Sequence, residues 1–160
     1  VEICRESAVL PQYARPGDAG MDVYAAEEVI IRPGETKVVP TGLKLAIPEG
    51  YEIQVRPRSG ISLNTPLRIP NSPGTIDSGY RDELGIIVAN TSSCGNEESG
   101  GEILTLDSKG NMMGTYMIRK GDRVAQIVLQ RVPRMRLTVV DSVKDIGEDR
   151  GGGFGSTGTK

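Results

Sequence analysis

Leu43-Lys44-Leu45-Ala46-Ile47-Pro48-Glu49-Gly50-Tyr51-Glu52-Ile53-Gln54-Val55 reads as an apolar run, a turn and an alternating run. Pro48 fixes φ and Gly50 admits positive φ, so the chain turns between the two runs. Beyond the turn Tyr51, Ile53 and Val55 recur at every second position, which places them on one face of an extended strand. The same grammar repeats outward. Strands are expected at Glu2 to Arg5, Val29 to Arg32, Lys37 to Pro40, Leu43 to Ile47, Tyr51 to Val55, Leu84 to Ala89, Ile103 to Leu106, Met112 to Ile118, Val124 to Val132 and Met135 to Val140. Turn chemistry at Arg32-Pro33-Gly34-Glu35 and Lys120-Gly121-Asp122 separates some of them. Many short strands punctuated by Gly and Pro predict an all-β domain of the sandwich, barrel or jelly-roll kind.

The 160 residues suffice for one domain with its own core, and they include no apolar run long enough to span a membrane. Histidine and tryptophan are absent, and Cys4 and Cys94 are the only cysteines. Ser-His nucleophiles, His-ligated zinc and Cys-rich metal centres are therefore excluded, and a catalytic base must be a carboxylate or something less usual. Neither cysteine lies in a motif, so both are expected as free thiols in a reducing compartment. An intracellular, cytoplasmic location follows as an expectation, with nucleus or organelle open if a leader was removed. A formal net charge of −2 is unsuited to non-specific nucleic-acid binding. A polyanionic ligand would need a local cluster, and Arg56, Arg58, Arg81 and Arg150 each lie near glycines. A divalent metal would supply the remaining positive charge.

Three segments stand apart from the strands. Ser59-Gly60-Ile61-Ser62-Leu63-Asn64 suits a short helix capped by Ser59 and ended by Asn64-Thr65-Pro66, its first amides following Arg58 as a potential anion site. Residues of about 91–116 combine a polar Gly/Ser loop with two strand-like runs around Asp107 to Asn111, which reads as an inserted hairpin, either a solvent-exposed elaboration or a partner-binding arm. The third is the tail, Arg150-Gly151-Gly152-Gly153-Phe154-Gly155-Ser156-Thr157-Gly158, which carries the one phenylalanine of the chain. Glycine pays a large entropy cost on ordering, so the tail reads either as a disordered terminus or as a lid that a ligand orders. For the lid, Phe154 supplies a flat ring, Arg150 a bidentate phosphate donor, and Ser156 and Thr157 hydroxyls, a set that fits a nucleotide.

Four internal segments join glycine to a carboxylate, arginine or amide. They are Asp18-Ala19-Gly20-Met21-Asp22-Val23, Arg56-Pro57-Arg58-Ser59-Gly60, Gly74-Thr75-Ile76-Asp77-Ser78-Gly79-Tyr80-Arg81 and Gly121-Asp122-Arg123-Val124-Ala125-Gln126. In this order, with the Phe tail as a fifth, they closely resemble the five motifs of the homotrimeric dUTPases, the dUTP pyrophosphatases. The resemblance covers nearly the whole chain apart from the insert. It implies a distorted jelly-roll β-barrel subunit over 1–147, a flexible lid over 148–160, and a homotrimer whose interface active sites are closed by a swapped C-terminal arm. The stretch from Asp141 to Phe154 could extend about 40 Å, enough to cross a subunit.

The resemblance also implies roles. Asn71 through Gly85, including Gly74, Thr75 and Ile76, would form a hairpin whose backbone imitates a pairing edge for uracil. Cytosine would leave its buried groups unpaired, at about 1 to 3 kcal/mol each. Tyr80 would pack beneath deoxyribose and collide with a 2′-hydroxyl. Asp77 would hold the attacking water as general base, fitting a chain without histidine. Arg58, Ser59 and Gly60 would bind the phosphate chain, and Asp22 and Gln126 would reach Mg²⁺ through its water shell. Phe154 would stack over uracil, with Arg150, Gly155, Ser156 and Thr157 closing over the triphosphate. The implied reaction is hydrolysis of dUTP to dUMP and diphosphate, which limits uracil in DNA and supplies dUMP for thymidylate synthesis. Two departures stand out: the spacing from Arg150 to Phe154 is one residue short of a common pattern, and Asp82 stands where glycine is usual. A second reading is a dUTPase-fold regulatory protein in which nucleotide binding switches a partner contact through the insert. The presence of Asp77, Tyr80 and Gln126 together favours the enzyme.

Overall fold

Every second residue of Glu83-Leu84-Gly85-Ile86-Ile87-Val88-Ala89-Asn90 is buried, as the period of a half-covered strand demands. The computed structural model describes residues 1–95, 100–149 and 151–152. Along them run β1 (Glu2–Ile3), β2 (Met21–Tyr24), β3 (Val29–Ile31), β4 (Thr36–Lys44), β5 (Tyr51–Arg56), α1 (Ser59–Asn64), β6 (Leu67–Arg68), β7 (Gly74–Ile76), β8 (Glu83–Asn90), β9 (Leu104–Thr105), β10 (Tyr116–Ile118) and β11 (Arg123–Arg131). The fold is all-β, as the punctuation of the sequence predicts.

The strands form three sheets, ordered β1-β4-β8-β6, β3-β10-β9 and β2-β11-β5-β7. One apolar core serves all three: Val39, Leu84 and Ile86 come from the first, Ile31, Tyr116 and Ile118 from the second, and Val23, Val55 and Ala125 from the third. At its edge Asn90 is almost wholly buried, and its amide donates to the carbonyls of Ile31 and Gly114, both at 2.9 Å. Its Oδ1 accepts from the Ser92 amide at 3.0 Å. A buried carboxamide with its donors and acceptor satisfied ties the sheets together without an orphaned polar group.

Several expectations are corrected. The runs Lys37 to Pro40 and Leu43 to Ile47 belong to one strand, β4, which stops at Lys44. Its pairing with β8 shifts between Pro40 and Lys44, a bulge that accommodates proline. Gly42 supplies the positive φ there (71°), and the Thr41 hydroxyl donates to the Leu84 carbonyl at 2.6 Å to bridge the irregularity. Tyr51 to Val55 is a strand as expected, but β4 and β5 lie in different sheets, so the Pro48-Glu49-Gly50 turn carries the chain between layers. Ser59 is the first residue of α1 and not its cap; Arg58 takes that place, with no side-chain capping bond.

Among the described residues the insert forms no hairpin. Leu104 and Thr105 pair in parallel with Tyr116 and Met117, and the connection between them touches the end of α1. The Asn111 amide donates to the Asn64 carbonyl at 2.9 Å, satisfying an orphan acceptor at the helix end, and Asn111 itself turns through positive φ. Met135 to Val140 forms no strand within this chain: Leu137 is 87% and Val139 99% exposed. An alternating run becomes a strand only beside an edge that pairs with it. Cys4 and Cys94 are free, as expected, and both are exposed.

Candidate active site

Gln126 has two strand partners: it stands opposite Asp22 of β2 on one side and Arg56 of β5 on the other. These neighbours open a cleft of about 460 Å³ lined by Asp18, Ala19, Gly20, Asp22, Arg56 to Gly60 and Gln126, with Gln12 and Ala14 at its rim. Within it Arg58 Nε donates to Asp22 Oδ1 at 2.9 Å, and Arg123 Nη1 donates to Asp22 Oδ2 at 3.2 Å. Arg58 also reaches the Arg123 carbonyl at 3.3 Å. Asp22 thus sits between two guanidinium groups and holds Arg58 over the start of α1. Arg56 is turned aside, with Nε and Nη2 donating to Gln54 Oε1 at 3.1 and 2.7 Å.

Glycine keeps the cleft open. A methyl at Gly20 would lie 3.0 Å from Oε1 of Gln126 and 3.3 Å from Cγ2 of Val128, closer than ordinary contact. A methyl at Gly60 or Gly79 would meet nothing within 4 Å, so packing inside the chain dictates neither glycine.

The third motif lies elsewhere. β7 pairs with β5 and β8 with β4 and β6, so the segment from Asn71 to Gly85 is an arch between two sheets and not a ladder-paired hairpin. The chain can change sheets here because Gly74 and Gly85 pass tightly under Val55 and Val38; methyls on them would approach to 3.3 and 2.5 Å. At the tip the Tyr80 amide donates to the Asp77 carbonyl at 3.1 Å and the Tyr80 hydroxyl to the Glu83 carbonyl at 2.9 Å. Arg81 Nη1 braces the carbonyls of Ser78 and Tyr80 at 2.6 and 2.8 Å. The Asp77 carboxylate is exposed and has no hydrogen bond or ion pair among the described residues. Glu83, by contrast, is held below the usual carboxylate range by hydrogen bonds from Arg5, with burial opposing and the Gly42 amide adding to the effect.

One chain therefore brings Asp22, Arg58, Ser59, Gly60 and Gln126 into one cleft and leaves Asn71, Gly74, Thr75, Ile76, Asp77, Tyr80 and Gly85 on a separate arch. Ile76 stands opposite Ile53, three residues along β5 from Arg56, or about 10 Å. None of the arch residues lines the cleft. Arg150, Phe154, Gly155, Ser156 and Thr157 lie outside the described residues.

A family model described as dUTPase matches residues 6–95, which include the first three motifs. The chain belongs to the dUTPase family. The deoxyuridine 5′-triphosphate nucleotidohydrolase of Syntrophotalea carbinolica is 42% identical over 160 residues, covering 99% of this chain and 95% of that protein. The corresponding protein of Clostridium kluyveri is 39% identical over 160 residues, covering 99% and 96%. Among solved structures, the dUTPase of Staphylococcus bacteriophage 80alpha with dUPNHPP superposes with a TM-score of 0.83 at 30% identity, covering 98% of this chain and 96% of that one. A mutant dUTPase from phage phi11 of Staphylococcus aureus, described for its coordination of a structural Mg(II) ion, gives 0.79 at 32% identity, covering 89% and 96%.

For this dUTPase chain, sequence reasoning missed Arg123 as a partner of Asp22. Its position inside Gly121 to Gln126 was a signal, yet nothing in the spacing says that β11 and β2 would place it across from a carboxylate about a hundred residues earlier. Gln12, in an irregular segment, offered no signal at all.

Proposed function

We propose that the protein hydrolyses dUTP to dUMP and diphosphate. The observation that carries this reading is the convergence of Asp22, Arg58, Ser59, Gly60 and Gln126 on one cleft, in a chain about 40% identical over nearly its full length to nucleotidohydrolases of dUTP. Arg58 offers a fixed guanidinium and Ser59 and Gly60 exposed backbone and hydroxyl donors, a set suited to a phosphate chain. Asp77, free of partners among the described residues, holds a water and takes its proton as the oxygen attacks the α-phosphorus. The bond from that phosphorus to the bridging oxygen breaks, diphosphate leaves with the electron pair, and dUMP remains. The chemistry is chiefly positioning and charge neutralisation. Tyr80, anchored through its hydroxyl to Glu83, lies beneath the deoxyribose and excludes ribose.

The site suits Mg²⁺ only through water. The described residues contain no cluster of three acidic, histidine or cysteine side chains, and both oxygens of Asp22 already accept from guanidinium groups. Mg²⁺ dehydrates reluctantly and takes phosphate oxygens with several waters, so Asp22 and Gln126 would contact its hydration shell. When bound, the ion neutralises phosphate charge.

Because cleft and arch are separate in one chain, the complete site is built between subunits of a homotrimer, the arch of one copy facing the cleft of another. Two apolar features support such an assembly. One is the exposed run Met135, Leu137 and Val139; the other is an apolar cleft of about 390 Å³ lined by Leu10, Tyr13, Met21, Ile47, Ile53 and Leu129. Residues 148–160, most of them outside the described residues, are the segment proposed as a lid. The regulatory alternative loses its main support, since the described part of the insert pairs into the β3 sheet and packs on α1. No helix among the described residues is long and apolar enough to cross a membrane.

The test is release of diphosphate from dUTP, dTTP, dCTP and UTP, assayed separately with Mg²⁺. Release from dUTP alone supports substrate and discrimination together; silence on dUTP rejects the reading.

A further inference from the structure

Arg5 lies far from the motifs in sequence, yet it reaches the root of the arch. Its Nε donates to Glu83 Oε1 at 2.7 Å and its Nη2 to Glu83 Oε2 at 2.8 Å, the two-pronged geometry that only a guanidinium supplies. Its remaining nitrogen, Nη1, contacts Glu27. The Gly42 amide donates to the same Glu83 Oε1 at 2.8 Å, so three donors from two elements fix one carboxylate. The N-terminal segment is itself pressed onto the β4 bulge. The Cys4 amide donates to the Gly42 carbonyl at 2.9 Å, and a methyl at Gly42 would come within 2.6 Å of Ala8 Cβ and 3.0 Å of Arg5 Cβ.

Glu83 faces two ways. Its side chain is the anchor for Arg5, while its backbone carbonyl is the acceptor for the Tyr80 hydroxyl at 2.9 Å. Tyr80 is 38% exposed, and the bond from its hydroxyl to Glu83 fixes the far end of the ring. Glu83 is the first residue of β8 and pairs with Lys44 beside the β4 bulge, so losing the side-chain anchor would let this strand end shift and carry the carbonyl, with the tyrosine bonded to it, out of place.

We propose that Arg5, acting through the carboxylate of Glu83, is a positioning residue for Tyr80 and thereby sets how sharply the site separates deoxyribose from ribose. This rests on the dUTP reading of the arch. Charge matters here as well as shape, because a fork of two ionic hydrogen bonds fixes orientation as well as distance, and a single ammonium does not.

The experiment compares kcat/KM for dUTP and for UTP in the wild type, Arg5→Gln, Arg5→Lys, Glu83→Gln and Ser7→Ala. Ser7→Ala serves as the control, since it removes the 2.6 Å bond from Ser7 Oγ to the Ala26 carbonyl in the same segment without touching Glu83. Losing charged hydrogen bonds at the anchor should lower the dUTP-to-UTP ratio about tenfold in Arg5→Gln and Glu83→Gln, with little restoration by lysine. Ser7→Ala should lower the melting temperature and leave the ratio unchanged. If Arg5→Gln does not fold, the near-isosteric Glu83→Gln decides alone. Active variants with lowered melting temperature but a wild-type ratio would overturn the clamp while leaving the dUTP reading intact. A wild type silent on dUTP would overturn both.

Discussion

Asp22 and Arg58 are 36 positions apart in sequence and 2.9 Å apart in space, joined by Nε of the arginine and one carboxylate oxygen. The ion pair spans the first and second motifs and is only partly exposed on either side. Its consequence is orientation: Arg58 cannot swing away from the cleft without releasing the carboxylate that Arg123 also holds.

Asp22→Asn should therefore unlock Arg58 without disturbing the sheets. A hydrogen bond to a charged group contributes about 1.5 to 3 kcal/mol, so kcat/KM for dUTP should fall roughly 10- to 100-fold. Steady-state kinetics beside a circular-dichroism melt checks this; an unchanged kcat/KM would remove Asp22 from the working site.

Gly20→Ala tests the clearance around Gln126. The new methyl would lie 3.0 Å from Oε1, the far end of a flexible side chain, so the amide moves and the backbone does not. Stability should change by less than about 1.5 kcal/mol while kcat/KM falls at least about tenfold. Loss of activity only in proportion to unfolding would mean that Gly20 serves packing alone.

Asn90→Leu strips donors from the carbonyls of Ile31 and Gly114 in a buried place. Unsatisfied buried groups cost about 1 to 3 kcal/mol each, so urea unfolding should show a loss of roughly 2 to 5 kcal/mol. A near-neutral result would imply that water enters beneath the insert.

Acid should weaken the anchor of the arch. The Glu83 carboxyl titrates below its ordinary value because Arg5 bonds the ionised form. In that window the unfolded chain binds more protons than the folded one, so the contribution is complete above about pH 5 and lost as pH falls through the lower folded value. Melting temperatures of wild type and Glu83→Gln, separated at pH 7, should converge as pH falls through that lowered folded value. A constant gap across that range would show that the carboxylate charge contributes nothing.

Leu137→Asp with Val139→Asp places charge on side chains that are 87% and 99% exposed in one chain. Such a change is nearly free for a solvated surface and severe for a covered one. If the proposed trimer forms, light scattering should show it dissociating toward smaller species; an unaltered mass would exclude this run from the assembly.

Much of this was legible in the chain. Period-2 alternation from Tyr51 to Val55 and from Leu84 to Ala89 identified the strands, since burial on one face leaves its mark at every second residue. The ordered motifs identified the family, and Ser59 to Asn64 was read as the helix it forms. The short strands β2, β6 and β7 were not read as strands, because β2 and β7 lie inside glycine-bearing motifs and β6 directly follows Pro66, where turn signals outweigh one or two periods of alternation.

Local chemistry, then, determined the all-β class, the turns, the absence of histidine chemistry and the residue types of the site. Tertiary structure alone decided which carboxylate meets which arginine, that β4 runs unbroken through Gly42, that the insert pairs in parallel, and that the arch stands apart from the cleft. Those are pairings between distant segments. Each depends on which edges and faces remain after the core is filled, and nothing in the spacing of neighbours along the chain encodes that.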